Sequence, residues 1–166
     1  MAKAFDARHL SNNKTYEIQG SNHFEVIIPG MGDEFTLCVS TCNLPEVTIA
    51  AVELNYGNSK VKVAGTVELG EGSITVKDAI VADIEKKISD WQNLVYNKET
   101  GKMGWAYQYK KDLQVNQYGP DGTYVRTWVL QGAWPTSVSY GEMDYSNGEK
   151  KNITMTIAYD NAKLKR

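Results

Sequence analysis

The sequence predicts an α+β domain that is mainly β, an antiparallel β-sandwich or barrel with one flanking α-helix at about residues 79–97. Three observations carry this reading. Short runs alternate apolar and polar residues, most cleanly Ile153, Met155, Ile157 and Tyr159 against Asn152, Thr154, Thr156 and Ala158. A helical stripe occurs in one stretch, at Ile84, Ile88, Trp91 and Val95. Glycine and proline turns separate the runs, among them Pro29-Gly30 and Pro120-Asp121-Gly122.

Residues 1–22 are polar and lack a period; they read as an arm that a partner would have to order. Residues 23–166 read as a single domain. "HFEVIIPG" alternates Phe24, Val26 and Ile28 and ends in a turn. "FTLCVSTCNLP" alternates Phe35, Leu37 and Val39 and reads as the next strand, entered through the hairpin-sized spacer "MGDE" and closed by Leu44-Pro45. "EVTIAAVELNYG" puts Val47 and Ile49 on one face, then Val52, Leu54 and Tyr56 on the other; the phase change predicts a bulge near Ala50-Ala51 or burial on both faces. The glycine-rich residues 55–73 read as a long, flexible, projecting loop with strand character, and a loop of that length usually has a task.

"SITVKD" is one more short strand. In the helix, Ile80 and Leu94 flank the stripe, Asp78 caps the N-terminus, and Asn97 and then Gly101 end it. "AYQYKKDLQVNQYG" and "TYVRTWVLQ" are strands on either side of the Pro120 turn, with Trp128 and Leu130 pointing into the core. Gly132 lets the second strand bend, and Pro135, which lacks a ladder N–H, stops it at a corner. Trp134 either packs under that corner or anchors a subunit interface.

Lys and Arg total 18 against 20 Asp and Glu in 166 residues, a formal charge of −2. That balance gives no basic footprint for nucleic acid, and the basic tail of Lys163, Lys165 and Arg166 reads as a solvated terminus. No apolar run has the length of a signal peptide or a membrane span, so the chain is expected to be made and kept in a cytosol, or in an assembly built there. Cys38 and Cys42 fit a reducing compartment and read as small buried hydrophobes; on one extended strand they would be ~13 Å apart, too far to bridge. His9 and His23 belong to no triad pattern, "GEGS" precedes a strand rather than a helix, and HExxH, CxxC and EF-hand spacings are missing. The reading is therefore not an enzyme, with no catalytic, cofactor-binding or metal residue assigned.

The order of these segments resembles a known family. The helix "DWQNLVYN", a polar strand, the turn "YGPDG", then "YVRTWVLQGAWP" and the closing "ITMTIAYDNAKL" look like the tail tube protein family of contractile-tailed bacteriophages. Tubes of phage-derived bacteriocins are related, and those of type VI secretion more distantly so. The resemblance covers roughly residues 22–164, and its most specific part is Arg126, Trp128, Leu130, Ala133, Trp134 and Pro135. It implies a structural subunit that forms six-membered rings stacked into a hollow conduit, through which DNA is ejected. The implied partners are the chain itself, the tail sheath protein, a baseplate tube initiator, a tail terminator, a tape-measure protein in the lumen, and DNA that passes without specific binding. The implied place is the virion tail, assembled in the host bacterial cytoplasm.

On this reading the arm and residues 55–73 are candidates for contacts between rings, ordinary mobile loops being the alternative. Trp134, Tyr56, Asn58 and Lys60 are candidate interface residues. A wall that passes DNA should not cluster Lys and Arg, so Glu46, Glu53 and Glu68 are candidate lumen residues, with plain solvated surface as the alternative. The expected core is Ile84, Ile88, Trp91, Val95, Trp128, Leu130, Ile153, Met155 and Ile157. Rival readings are a tube subunit of a contractile bacteriocin or secretion system, a monomeric β-sandwich binding module with exposed tryptophans, and an enzyme with a concave acidic site. The size, the arm and "WQNLVYN" favour the phage tail.

Overall fold

In the computed structural model, which describes residues 17–146 and 148–166, the first strand β1 is Phe24–Ile27. Most of the expected arm, residues 1–16, lies outside the described residues. The end of the arm is tied down: Gln19 Nε2 donates to the Tyr118 carbonyl at 2.7 Å.

The next segment departs from expectation. Asp33–Cys38 is a short helix, α1, and the strand β2 is confined to Val39–Cys42. Gly32, at φ 80°, turns the chain into the helix, and Asp33 and Glu34 sit in its first turn, where the helix dipole favours carboxylates. Phe35 is fully buried while Leu37 is exposed, as helical rather than alternating geometry requires. Thr36 Oγ1 donates to the Val26 carbonyl at 3.0 Å and pins α1 over β1. Local β propensity yields here to tertiary packing. Cys38 therefore ends a helix and Cys42 lies in a strand; both are free thiols and half-buried, not core residues.

The expected loop at residues 55–73 is instead ordered strand. β3 (Val47–Tyr56) returns through the two-residue turn Gly57-Asn58 as β4 (Ser59–Leu69), and β5 (Gly72–Lys77) follows. Gly57, at φ 62°, supplies the positive φ that so tight a hairpin turn needs. The register slips between Ile49 and Ala51, where the phase change predicted a bulge.

The main helix, α2, is Ile84–Val95, shorter than predicted. Ile84, Ile88, Trp91 and Val95 are buried as the stripe required. Its start is Asp83, not Asp78; Asp83 takes a left-handed conformation at φ 48° that halts the preceding turns. Ile80 and Val81 lie outside the stripe, fully exposed, and Leu94 is half-exposed. Asp78 is engaged elsewhere, in an ion pair with Lys151 at 3.3 Å. Lys151 also binds Glu85, and these bonds, Glu85 first, raise its pKa. A tight hairpin of β6 (Tyr96–Asn97) and β7 (Lys102–Met103) turns through Gly101 at φ 65°. A single turn of helix, α3 (Ala106–Tyr109), precedes β8 (Lys111–Tyr118) where sequence alternation predicts only strand.

β9 (Tyr124–Ser139) organises the rest, with β10 (Asn152–Ala158) and β11 (Asn161–Lys165). The strand order is β1-β8-β9-β10-β5-β2, all antiparallel, with β11 beside β9. The sheet is open, ending in β1 and β2. The C-terminal tail is thus an ordered strand through Lys165, not simply a solvated terminus.

Two half-sheets meet in β9. Residues 127–131 pair with β8 and β11, and residues 134–139 pair with β10. Between them Gly132 bends the strand at φ 64°. Its N–H, turned out of the ladder, donates to Asp112 Oδ1 at 2.9 Å. Pro135 does not end the strand as expected; it lies opposite Ile157, beside a bulge in which β9 carries the extra residue Thr136, and β9 runs on to Ser139.

The apolar faces of both halves close on one core: Val26, Leu113 and Leu130 from one, Ile74, Ile153 and Met155 from the other, with Ile88 and Trp91 from α2. Trp91 Nε1 donates to the Tyr109 carbonyl at 2.8 Å, and Lys111 Nζ stands 5.1 Å from its ring centroid. Trp128 shares the face of Leu130 but is only half-buried at the margin of the core.

Trp91→Ala is expected to cost about 3–5 kcal/mol in equilibrium denaturation of the subunit, by opening a large cavity. Gly132→Ala should cost about 1–3 kcal/mol in the same assay, because a Cβ there would lie 2.3 Å from Asp160 Oδ2 in a backbone region that L-residues resist.

Candidate functional site

The concave surfaces offer little chemistry. A shallow depression of about 430 Å³ is lined by Asp83, Glu85, Lys86, Ser89, Lys98 and Tyr140. A second of about 360 Å³ is lined by Phe24, Glu25, Thr36, Leu37, Val39 and Tyr118. Neither contains a histidine or cysteine to activate a nucleophile. Among the described residues no group of three or more His, Cys, Asp or Glu is placed to hold a metal ion. In the second depression Glu25 accepts from Tyr118 at 2.7 Å, which raises the Tyr118 pKa.

The unusual surface is the β3–β4 hairpin, which forms its own two-stranded sheet. Cross-strand partners share a face, and the pairs Ile49–Val67, Val52–Val63 and Leu54–Val61 are all apolar. The slip at residues 49–51 sets two residues of β4 opposite Ala50, so β3 keeps its alternation and the apolar positions change side there. Val52, Leu54, Tyr56, Val61 and Val63 form one apolar face of the outer hairpin, while Val47, Ile49 and Val67 lie on the other side near its base. Each of these is between 41% and 81% exposed. An isolated two-stranded hairpin is marginal in water, and an exposed apolar face of this extent marks an interaction surface.

The opposite face is polar and balanced in charge. Glu53 pairs with Lys60 at 3.1 Å and with Lys62 at 3.7 Å. Glu68, opposite Thr48 and before the slip, lies on the other side of the hairpin. Of the sequence-predicted residues, Tyr56, Asn58 and Lys60 therefore gather at the hairpin tip, Tyr56 on its apolar face and Lys60 on its polar one. Glu53 shares that polar face with two lysines, Glu68 lies on the other side nearer the base, and Glu46 stands at the base, its carbonyl accepting from the Gly70 N–H at 2.9 Å. These three carboxylates are not assembled into an acidic patch.

Trp134 is half-buried, edge-on to Tyr109 with ring centroids 5.7 Å apart. Two segments beside it matter more. Among the described residues, 134–139 of β9 have β10 on one side and no ladder partner on the other, and β2 is likewise paired only with β5. These open edges, "WPTSVS" and "VSTC", carry no charged residue to discourage pairing. Sequence reasoning missed the hairpin face, although its signal was present: Val52, Leu54 and Tyr56 alternate in β3, and Val61 and Val63 alternate in β4. It also missed the exposed Met103, Trp105 and Tyr107 beside α3, whose exposure no local pattern reveals.

Comparison with known proteins places this geometry among tube proteins. Residues 20–163 match the family model of the T4-like virus tail tube protein gp19. The tail tube protein gp19 of Enterobacteria phage T4 is 31% identical over 144 residues, 84% of this chain and 87% of that protein. Among solved structures, the tube-terminating cap of the anti-feeding prophage superimposes with a TM-score of 0.74 at 17% identity, covering 99% of each chain. A chain of the sheath–tube complex of the PVC extracellular contractile injection system, in its extended state, gives 0.66 at 16% identity, covering 96% of this chain and 97% of that one.

The thiol chemistry of the surface can be checked directly. Burial pushes the Cys42 thiol up to about 11. Only the thiolate alkylates, so at pH 8 Cys42 should react with iodoacetamide about 100-fold more slowly than an unperturbed thiol, its rate rising about ten-fold per pH unit until pH 11.

Proposed function

The chain belongs to the T4-like virus tail tube protein gp19 family, and on that premise we propose that it polymerises as stacked rings of six copies into the conduit through which DNA leaves the virion. It is a structural subunit of the tube of a contractile phage tail or related injection system, not an enzyme. The finer reading rests on one observation above the others, the solvent-exposed apolar side chains of the β3–β4 hairpin. A subunit that worked alone would gain nothing from holding eight large apolar side chains in water. Buried against a neighbouring copy, each contributes about 1 kcal/mol or more.

Closure around the ring is supported by the open edges. β2, β5, β10 and residues 134–139 of β9 form one half-sheet with alternating strand direction. Its two outer strands consequently run in opposite senses. When copies are related by rotation about an axis along the strands, the β9 edge of one meets the β2 edge of the next in an antiparallel ladder. Such head-to-tail contacts close into a ring and remove every exposed edge of that half-sheet. The sheath protein outside, the initiator and terminator at the ends, and a tape-measure protein in the lumen before DNA are its proposed partners. The virion tail is its proposed place, after assembly in the host cytoplasm.

Negative-stain electron microscopy of the concentrated protein, alone and with a baseplate, is the direct test. Wild-type protein is expected to give rings or tubes. Val52→Asp/Val63→Asp, on the apolar hairpin face, should keep the thermal unfolding of the subunit within about 0.5 kcal/mol and yet give no tubes. Tubes of normal length from that variant would remove the hairpin from the account.

A further inference from the structure

The bulge at Ala50 gives the β3–β4 hairpin an apolar patch on each side. Toward the tip, Val52 and Leu54 share a side with Val61 and Val63, and Glu53, Lys60 and Lys62 occupy the other. Before the bulge the sides are exchanged. Val47 is registered with Leu69 and Ile49 with Val67, on the side that carries the ions further out, with Thr48 and Glu68 behind them. Leu69 packs against the core, so this base patch continues the core face of the half-sheet past its end. Val47, Ile49 and Val67 are nonetheless about half exposed. One surface cannot cover both sides of a ribbon, so the base patch and the outer patch need different partners.

A second apolar surface stands at the other border of the half-sheet. Tyr96 and Met103 are registered across β6 and β7, and Trp105 and Tyr107 follow at α3, 72% and 80% exposed. The Gly104 N–H donates to the Val95 carbonyl at 2.9 Å and hangs this platform from the end of α2, whose Ile88 and Trp91 fill the core side of the half-sheet. Tyr109 of α3 lies edge-on to Trp134, where the open border of β9 begins. Trp134 is registered with Ala158 of β10, and Ile157 with Gly72 of β5; the Asn43 N–H, just past β2, donates to the Ser73 carbonyl. The platform and the hairpin base therefore lie at the same end and on the same side of one half-sheet, at its opposite borders.

We propose that these two surfaces meet between copies. The hairpin base of one copy packs on the aromatic platform of its neighbour in the same ring, and the bulge divides the hairpin between that neighbour and the next ring. The proposal rests on the ring reading and deepens it. Setting the β2 border of one copy against the β9 border of another brings base patch and platform side by side. The charges agree as well. Residues 94–111 hold Lys98, Lys102, Lys110 and Lys111 against Glu99 alone. Glu46 and Glu71 stand at the hairpin root, where residues 42–49 and 66–72 contain no lysine or arginine. Tryptophan, tyrosine and methionine anchor contacts of this kind, and opposite charges at the rim fix their direction.

Cross-linking of unstacked rings tests the contact. Val47→Cys and Ala106→Cys are made on separate copies, each with Cys38→Ser, Cys42→Ser and the Val52→Asp/Val63→Asp pair. Equal amounts are mixed and treated with a short bis-maleimide. Covalent dimers joining the two kinds of copy should form. Thr48→Cys in place of Val47→Cys should give about ten-fold fewer or less, because alternation turns residue 48 to the reverse side. Equal yields from residues 47 and 48 overturn the proposal. So does a Val47 dimer that appears only when the outer hairpin is wild type and rings stack, since the contact then lies between rings. Absence of the dimer from rings of purified protein leaves the platform to another partner, such as the sheath, and overturns it too.

A second variant reads the same contact without chemistry. Val47→Asp/Ile49→Asp should lower the yield of rings by about ten-fold or more, whereas Val52→Asp/Val63→Asp should keep rings and lose only their stacking. Rings at wild-type yield from a folded Val47→Asp/Ile49→Asp subunit refute the proposal; if that variant is not folded, the cross-link decides. If wild-type protein forms no rings, the tube reading fails instead. If only the cysteine copies fail to assemble, a cryo-EM reconstruction of wild-type tubes decides, and Val47 and Ile49 packed on anything but the platform of the same-ring neighbour overturn the proposal.

Discussion

One strand belonging to two half-sheets is the constraint on which the molecule depends. β9 pairs with β8 and β11 before Gly132, with β8 once more at Ala133, and with β10 from Trp134 on. A straight strand of sixteen residues would carry both sets of partners in one twisted layer, with its apolar face open to water. The left-handed backbone of Gly132 folds that layer over, so that Leu130 and Met155 enter a common core. The bend is held from outside the ladder. Asp112 receives the displaced N–H of Gly132, and Asp160, at the β10–β11 corner, is fixed by Lys110 at 2.7 Å. The corner is therefore built from backbone conformation and hydrogen bonds rather than from bulk.

The same bend assigns the two surfaces their work. It turns one half-sheet into a layer with an apolar inside and a polar outside, flanked by uncharged edges. The hairpin departs from this layer at Leu69 and Gly72, near the end where β10 finishes. The proposed lateral and axial contacts would thus be spatially separated on one small domain. Along the seams the lateral ones would use backbone ladders, which are insensitive to side-chain identity. Axial ones would use side-chain burial, which tunes strength residue by residue.

How much of this was legible in the sequence depended on whether local pattern and tertiary demand agreed. They agreed in α2, where the stripe from Ile84 to Val95 is buried as its spacing requires, and near Ala50, where the register slips at the position at which the apolar phase of β3 changes. They conflicted at Phe35, Leu37 and Val39. That alternation fits a strand, yet α1 forms because Phe35 finds the core and Thr36 finds the free carbonyl of Val26. Asp78 stands where a helix cap belongs, but Lys151, seventy-three positions along the chain, claims it. Gly65 and Gly70 suggest a loop where β4 runs, although its valines keep a strict two-residue period between them. The open edges could not be read at all before the strand order was known, since "VSTC" and "TSVS" are ordinary strand segments until they lie at opposite borders of one layer.

The strand count of that layer carries a consequence for how such subunits can change. Four is even, so its two borders have opposite polarity, and copies joined in the proposed ring would meet antiparallel. One extra or missing strand would make every seam parallel, with slanted and weaker bonds. Growth by whole hairpins preserves the parity, because a hairpin brings the chain back in the direction it left. The β3–β4 arm is such an insertion: between leaving β2 and entering β5 the chain makes a full excursion, and β5 still runs against β2 as though nothing had been added. Arms of this kind can lengthen, shorten or change their chemistry while the seams stay as they are.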